Sequence, residues 1–427
     1  MGRKNKRNHT AIKMKKWLDQ AAQKDLEDPL SAYRKRFFEP DNAIYLDGNS
    51  LGRLPLTAQK AMEEAVTQQW GRGLIGSWNK HWLALGGSIA RDLSKITESP
   101  VANIKVGEST SVHLYQIIHG LVHSGLYPKQ LGVDSLNFPT DHYILEGFDL
   151  SLHRVIYPTN RSADLQQLKE AIQHYPGIYC LSWVSYQSAY LYPVAELNRW
   201  ALNNQSIIVW DLSHAIGAVE TPLKDTGTLA AVGCTYKYLN GGPGAPSMMY
   251  LDESLMPQVK NPIQGWFGHA DPFAFSDQYL PAAGIEQFSA GTPNVLSLSG
   301  AAPGIALTAE VGMSALRKKS LLLGQFLQSM IEDELAGLEF TIESPLDPTA
   351  RGSHLTLSHP EAWRITQCLL ASTPAVVPDY RPPGWIRLGL TPLYTTFTEL
   401  ACAVEQLKNI VIHKSFERFS TERNGVS

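Results

Sequence analysis

The chain has 427 residues, of which 44% are hydrophobic and 18% charged, and its formal net charge is −3; this is the balance of a globular protein long enough for two domains. The near-neutral charge provides no basic field for nucleic acid or an anionic membrane surface, and no run of 18 apolar residues forms a membrane span. The four cysteines, Cys180, Cys234, Cys368 and Cys402, lie far apart with no CxxC pair, which argues against a disulfide framework or a zinc site, so no metal is expected and a reducing cytoplasm fits.

In chain order, residues 1–16, MGRKNKRNHTAIKMKK, hold seven Lys and Arg and no acid, and read as a solvated, frayed terminus. No apolar segment follows as a secretory signal requires, and Lys6 breaks the myristoylation pattern that Gly2 begins. Residues 1–40 are expected to form an N-terminal arm or helix. LDGNSLG (46–52) is polar and glycine-bearing, a tight loop in which Asn49 and Ser50 either touch a ligand or close a turn. ANIKV (102–106) reads as a strand, followed by a helix with Leu114, Ile117, Ile118 and Leu121 on one face. LGVDSL (131–136), GIYCLSWV (177–184), SIIVWD (206–211), LAAVGCT (229–235) and SMMYLD (247–252) are further strands, with helices marked by Leu165, Leu168 and Ile172 and by Glu196 to Asn203. Alternating strands and helices predict an α/β domain over residues 41–300 around a mainly parallel sheet of about seven strands, which binds ligands at the carboxyl ends of its strands. Residues 301–427 are expected to hold a long amphipathic linker at 305–335 and a small α+β domain, with SHLTLS (353–358), AVVPDY (375–380) and WIRLGLTP (385–392) as strands and EAWRITQCLLA (361–371) and FTELACAVEQLKNIVI (397–412) as helices.

The chemistry concentrates at that carboxyl edge. Asp211 ends a buried strand, and Lys237 follows 26 residues later, after the next strand and before the cluster NGGPGA. A lysine is costly to desolvate without a partner. A carboxylate and an amine on adjacent strand ends suit pyridoxal 5′-phosphate (PLP), whose ring nitrogen needs an acid partner and whose aldehyde needs a lysine; the plainer reading is a buried ion pair. Ser109, Thr110 and Ser111 follow a strand directly and would offer hydroxyls and free N–H groups to a phosphate at a helix N-terminus, or simply cap the helix. Tyr236, beside Lys237, would add a donor, and Tyr238 would point the other way. Phe138, in NFPTDHY (137–143), is placed to stack on an aromatic cofactor. Arg387 lies mid-strand in the apolar WIRLGL, where a planar fork suits a carboxylate; the alternative is an edge-strand arginine on a solvent face.

IYLDGNSLGRLP (44–55), GLIGSWN (73–79), NFPTDHY, DLSHAIG (211–217), TYKYLNGGPGA (235–245), GWFGH (265–269), GTPNVLSLS (291–299) and IRLGLTPLYTTF (386–397) together resemble the kynureninase family, PLP enzymes of fold type I within the class V aminotransferase group. The resemblance implies that Lys237 forms the Schiff base, Asp211 partners the pyridine nitrogen, His214 sits near the cofactor's phenolic side and Phe138 stacks on the ring. It implies phosphate or cofactor contacts from Thr110, Ser111, Tyr236 and, more loosely, Ser188, with Thr140 and Asp141 of the Phe138 motif as further cofactor contacts. Trp266 and Thr292 match residues that reach an active site built across a homodimer interface, and Arg387 matches the arginine that binds the substrate α-carboxylate, with Asn49 and Ser50 beside the substrate. The implied reaction is hydrolytic Cβ–Cγ cleavage of L-kynurenine, or of its 3-hydroxy form, to the aryl acid and L-alanine in tryptophan catabolism, with Lys237 as general base and Tyr236 assisting a proton transfer. One departure bears on the substrate: Gln187 and Ala189 stand where family members usually carry Arg or Tyr and Gly. The competing readings are a related PLP enzyme of a secondary pathway and a binding protein on the same scaffold. A desulfurase would need a reactive cysteine on a mobile loop, and a scaffold protein could dispense with Lys237.

Overall fold

A computed structural model describes residues 2–423, with side chains from Lys13 onward. The strands in chain order are β1 (Ala43–Tyr45), β2 (Ile104–Val106), β3 (Gln130–Asp134), β4 (Ser151–Val155), β5 (Ile178–Ser182), β6 (Ile207–Asp211), β7 (Ala230–Gly233), β8 (Met248–Leu251), β9 (Thr341–Ile342), β10 (His354–Ser358), β11 (Ala375–Val377), β12 (Asp379–Arg381) and β13 (Trp385–Gly389). Seven of them form the large sheet, in the order β2-β8-β7-β6-β5-β3-β4. β8 runs antiparallel to both neighbours and the rest are parallel.

β5 and β6 show why the sheet is central. All their residues are buried. Tyr179, Leu181, Ile208 and Trp210 enter the core on one face, while Ile178, Cys180, Ile207 and Val209 pack on the other against Leu114, Ile117, Ile118 and Leu121 of the helix Thr110–Ser124. Continuous apolar runs are what a strand covered on both faces requires, and each such large side chain stabilises the fold by about 1.5–3 kcal/mol. β4 is an edge strand with only Val155 buried, so its polar SLHRV carries no two-sided apolar signal.

The small sheet is antiparallel, in the order β12-β13-β10-β9. AVVPDY is not one strand. β11 pairs parallel with β1, and β12 pairs with β13, because Pro378 between them has no N–H and a fixed φ. The stretch 305–335 is likewise two helices, Val295–Val311 and Met313–Glu334, bent by 85° at Gly312, whose φ of +82° a residue with a side chain adopts only at a cost. Among the described residues no single helix is long and apolar enough to cross a membrane.

The N-terminal helix Gly2–Leu26 packs with the C-terminal half. Met14 and Ala21 bury beside Leu323, Phe326 and Leu407. The Asp25 carboxylate accepts from the Phe397 and Thr398 N–H groups at 2.8 and 2.9 Å, at the start of the helix Phe397–Ile412, where a negative charge is favoured. Asp28 and Lys319 form a buried pair at 2.7 Å. The solvated terminus expected for residues 1–16 rests mostly on side chains before Lys13, outside the described residues.

Candidate active site

The carboxyl ends of β2, β3, β5, β6 and β7 converge on one cavity. It is lined by Thr110 and Ser111 after β2, Phe138, Thr140 and Asp141 after β3, Ser182 and Tyr186 from β5 and the turn after it, Asp211, Ser213 and His214 from β6, and Tyr236 and Lys237 after β7. Nine residues singled out in the sequence therefore share one wall. Ser182, Tyr186 and Ser213 join them without a sequence signal, since a serine or tyrosine near a strand end has no distinguishing pattern.

The lysine's setting follows from the chain around it. Asn240, Gly242 and Gly244 all have positive φ, so the cluster after Lys237 turns the chain sharply back. Gly52 of the LDGNSLG loop lies against this turn: its N–H donates to the Tyr236 carbonyl at 2.8 Å, and a Cβ there would fall 2.4 Å from the Lys237 carbonyl oxygen. Tyr238 does point away, and its hydroxyl donates to the Ser353 carbonyl at 2.9 Å. That bond ties the lysine segment to the small domain.

Lys237 is half-buried. Its Nζ lies 3.0 Å from His214 Nε2 and about 6 Å from the ring centres of Phe138 and Tyr236, at 5.8 and 5.7 Å. Burial lowers the His214 imidazole well below its usual range, and the positive charge of Lys237 acts in the same direction. Asp211 Oδ1 accepts from the Ser213 N–H at 2.8 Å. Burial raises its carboxyl above the usual range against the opposing effects of Ser213 and Lys237. Asp141 is raised well above that range, first by burial and then by the charge of Asp211, as two buried carboxylates in one site must be. Its Oδ2 is held by the Asn137 amide at 2.9 Å, while Asn137 also bridges to β5 through the Cys180 carbonyl at 3.1 Å and the Ser182 N–H at 3.0 Å. The charge of Cys234, then burial, raises the Tyr236 phenol.

The residues present fit PLP. The Ser109 side chain accepts from the Val112 N–H, which leaves Thr110 and Ser111 to face the cavity with the helix's first N–H groups toward an anion. Asp211 sits at the other end, Phe138 beside Lys237, and the buried Nδ1 of His214 has no partner.

Arg387 is only 1% exposed, which removes the solvent-face reading. Its Nε donates to Asp379, its Nη1 to the Tyr186 carbonyl at 2.5 Å and its Nη2 to Ser50 Oγ at 3.1 Å. Tyr186 lines the Lys237 cavity, so the arginine lies directly behind it. Asn49 is fully buried, with both amide atoms unpartnered. Ser188 is buried too, its Oγ accepting from the Tyr190 N–H at 3.3 Å, and it does not line the cavity. Ala189 has φ +66°, so the departure from the family's usual glycine leaves an alanine in a left-handed conformation that costs about 1 kcal/mol.

Trp266 and Thr292 are not brought to Lys237 within the chain. Their neighbours Phe267, Gly291, Pro293 and Asn294 line a separate, larger cavity of about 530 Å³, whose one lysine, Lys105, is paired with Glu286 at 2.5 Å.

Residues 147–358 match the aminotransferase class-V family and residues 316–407 match the kynureninase C-terminal domain. The chain is 34% identical over 397 residues to a kynureninase of Pseudomonas fluorescens, covering 92% of this chain and 95% of that protein. The chain belongs to the kynureninase family. A Burkholderia pseudomallei kynureninase is similar at 33% identity over 398 residues, with the same shares of the two chains. The fold is also that of a cysteine desulfurase from Thermococcus onnurineus NA1 (TM-score 0.78, 17% identity, 90% of this chain and 98% of that one) and of one from Escherichia coli (TM-score 0.75, 15% identity, 92% and 99%). The kynureninase family membership makes the protein a PLP-dependent enzyme. Its four thiols are all free. Cys180 in β5, Cys368 in a helix and Cys234 in the segment after β7 are buried, and Cys402 in the last long helix is half-buried, so no thiol sits on an exposed loop.

Proposed function

We propose that the protein hydrolyses the Cβ–Cγ bond of L-kynurenine, giving anthranilate and L-alanine, as a cytoplasmic homodimer of tryptophan catabolism. The observation that carries this reading is the placing of Lys237 and Asp211 in one cavity, with Arg387 of the small domain bonded to the carbonyl of Tyr186, a residue of the cavity wall. Bound there, PLP supplies an electron sink for bonds at the amino acid's α-carbon. Thr110 and Ser111 hold its phosphate, Phe138 packs on its ring, and Asp211 keeps a proton on its ring nitrogen. Lys237 takes the α-proton, with His214 Nε2 within hydrogen-bond reach to orient it. Arg387, fixed by Asp379, orients the substrate carboxylate, which sets the reacting bond relative to Lys237. Tyr186 and Ser182 complete the cavity wall, and the cleavage consumes one water at the substrate's γ-carbonyl.

Truncating Arg387 to alanine is expected to cost on the order of 2–4 kcal/mol of transition-state binding, or roughly 30- to 1000-fold in kcat/KM. Lysine restores only part, because it lacks the fork. Steady-state kinetics with bound PLP measured alongside would check this. Loss of PLP with unchanged substrate affinity would reassign Arg387 to the fold.

The dimer is supported by exposed apolar side chains: Phe273 and Phe275, both at least half exposed, pack on Trp266 at 5.8 and 6.3 Å, and Trp266 is itself 39% exposed, while Trp70, Leu74, Ile75 and Leu280 are also more than half exposed. A patch of this kind marks an interaction surface, and a second copy would bring its Trp266 and Thr292 to this cavity. Mixing a Lys237→Ala chain with a Trp266→Ala chain should then restore part of the activity, since one of the two shared sites is intact. Mixed dimers without any recovered activity would count against shared sites. Comparing turnover of L-kynurenine and 3-hydroxykynurenine would show which ring the Gln187 variant prefers.

A further inference from the structure

His354 is the first residue of β10 and is fully buried, and neither of its ring nitrogens has a hydrogen-bond partner. The Gln187 main chain lies beside it without a bond of normal geometry. The register of the small sheet shows where this ring faces. His354 pairs with Gly389 and Thr356 with Arg387, and residues two apart share a face. His354 therefore lies on the face that carries Arg387, the face turned toward the large domain. Gly389 opposite it has no side chain, and a Cβ there would come within 2.3 Å of Asn49 Oδ1.

Across the domain boundary is His214. The two rings are 5.7 Å apart and inclined at 61°. His214 Nε2 faces the Lys237 ammonium at 3.0 Å; an ammonium has only hydrogens to offer, so Nε2 accepts and the ring hydrogen resides on Nδ1. That Nδ1 is buried with no partner, an arrangement that costs free energy and calls for an acceptor. Two imidazoles sharing a hydrogen bond have centres about 5 Å apart, so a shift of under about 1 Å, or one bridging water, completes the contact. Lys237 and Arg387 act on both rings and Arg381 also acts on His214, each against protonation, while Asp211 and Asp141 share the cavity with His214 and Asp379 holds Arg387. Both imidazoles are held well below their usual range, chiefly by burial, so His354 is neutral and keeps a lone pair to offer.

We propose that His354 is a positioning residue: it accepts the Nδ1 hydrogen of His214, directly or through one water, fixing the tautomer that receives Lys237 and coupling Lys237 to the sheet face that carries Arg387. This rests on the reading of Lys237 as the cofactor lysine. A Lys237–His214–His354 chain gives the small domain a route to the lysine's proton, so capture of the substrate carboxylate and readiness of the base move together.

The test uses the PLP-loaded enzyme with His354→Phe, His354→Met and His354→Gln, and reads the pH titration of the bound cofactor's absorbance. Losing the acceptor makes His214 Nε2 a poorer acceptor for the protonated lysine nitrogen, so the midpoint should fall by about half to one pH unit in the Phe and Met variants. In those variants kcat should fall by about tenfold with KM for L-kynurenine within about twofold. Gln, which keeps an acceptor, should restore most of both. An unchanged midpoint in either folded apolar variant overturns the proposal. A wild-type protein with no pH-sensitive cofactor absorbance would instead overturn the cofactor reading beneath it.

Discussion

Replacing Lys237 with alanine is expected to lower turnover of L-kynurenine by at least about 10³-fold, because one side chain performs two tasks that no neighbour can assume. In the proposed reaction it would hold the cofactor and move the α-proton, and general-base catalysis alone is worth about 10²- to 10⁴-fold. The nearest titratable group is His214, at 3.0 Å, but it is a buried imidazole held well below its usual range and is too weak a base to substitute. PLP should still bind through Thr110, Ser111, Phe138 and Asp211, with weaker retention on dialysis. In the wild type, borohydride should fix PLP to the peptide that contains Lys237, as peptide mass spectrometry would show; in the variant it should fix nothing. An alanine variant within tenfold of wild-type turnover would remove Lys237 from the chemistry.

Asp211→Asn is expected to cost on the order of 10²- to 10³-fold in kcat, the usual loss when one preorganised electrostatic group is removed from a buried site. A neutral amide cannot hold the ring nitrogen protonated, so the electron sink is weakened while the cavity keeps its shape. Stability should move the other way. In the PLP-free protein, burial raises the Asp211 carboxyl above its ordinary value and its charge raises Asp141 as well. A raised carboxyl favours the folded state fully only below about pH 4, where the unfolded chain is protonated too, and that advantage is lost as pH rises through the folded-state value. The Asn variant lacks this penalty. Its PLP-free form should melt at or above the wild-type temperature at pH 7, with the gap closing toward pH 4. Thermal melts across that range, paired with kcat, separate the two effects. A variant that is both fully active and less stable would contradict the assignment.

The fold and the cavity differ in how far the sequence discloses them. β5 and β6 were legible because both faces are buried and every residue is apolar up to Ser182 and Asp211, and the strand–lysine spacing placed Asp211 and Lys237 on one edge. The helix break at Gly312 and the division of residues 375–381 at Pro378 were less so, because an apolar pattern continues through both and only the backbone reverses. The domain-spanning contacts were not legible. Asp379 holds Arg387 from eight residues away and Ser50 from 337, and His354 faces His214 across 140 positions of chain; a lone histidine at the head of SHLTLS has no periodicity that distinguishes it from core. Trp266 and Thr292 mark a further limit, because one chain's geometry leaves them outside the Lys237 cavity.

The most direct test of the account is a single assay: purified protein loaded with PLP, given L-kynurenine, with anthranilate followed by its fluorescence and L-alanine by amino-acid analysis. Equimolar anthranilate and L-alanine, dependent on PLP and absent with Lys237→Ala, is the predicted result; a PLP-loaded wild type that releases neither product, or that consumes L-kynurenine without cleaving its side chain, would contradict it.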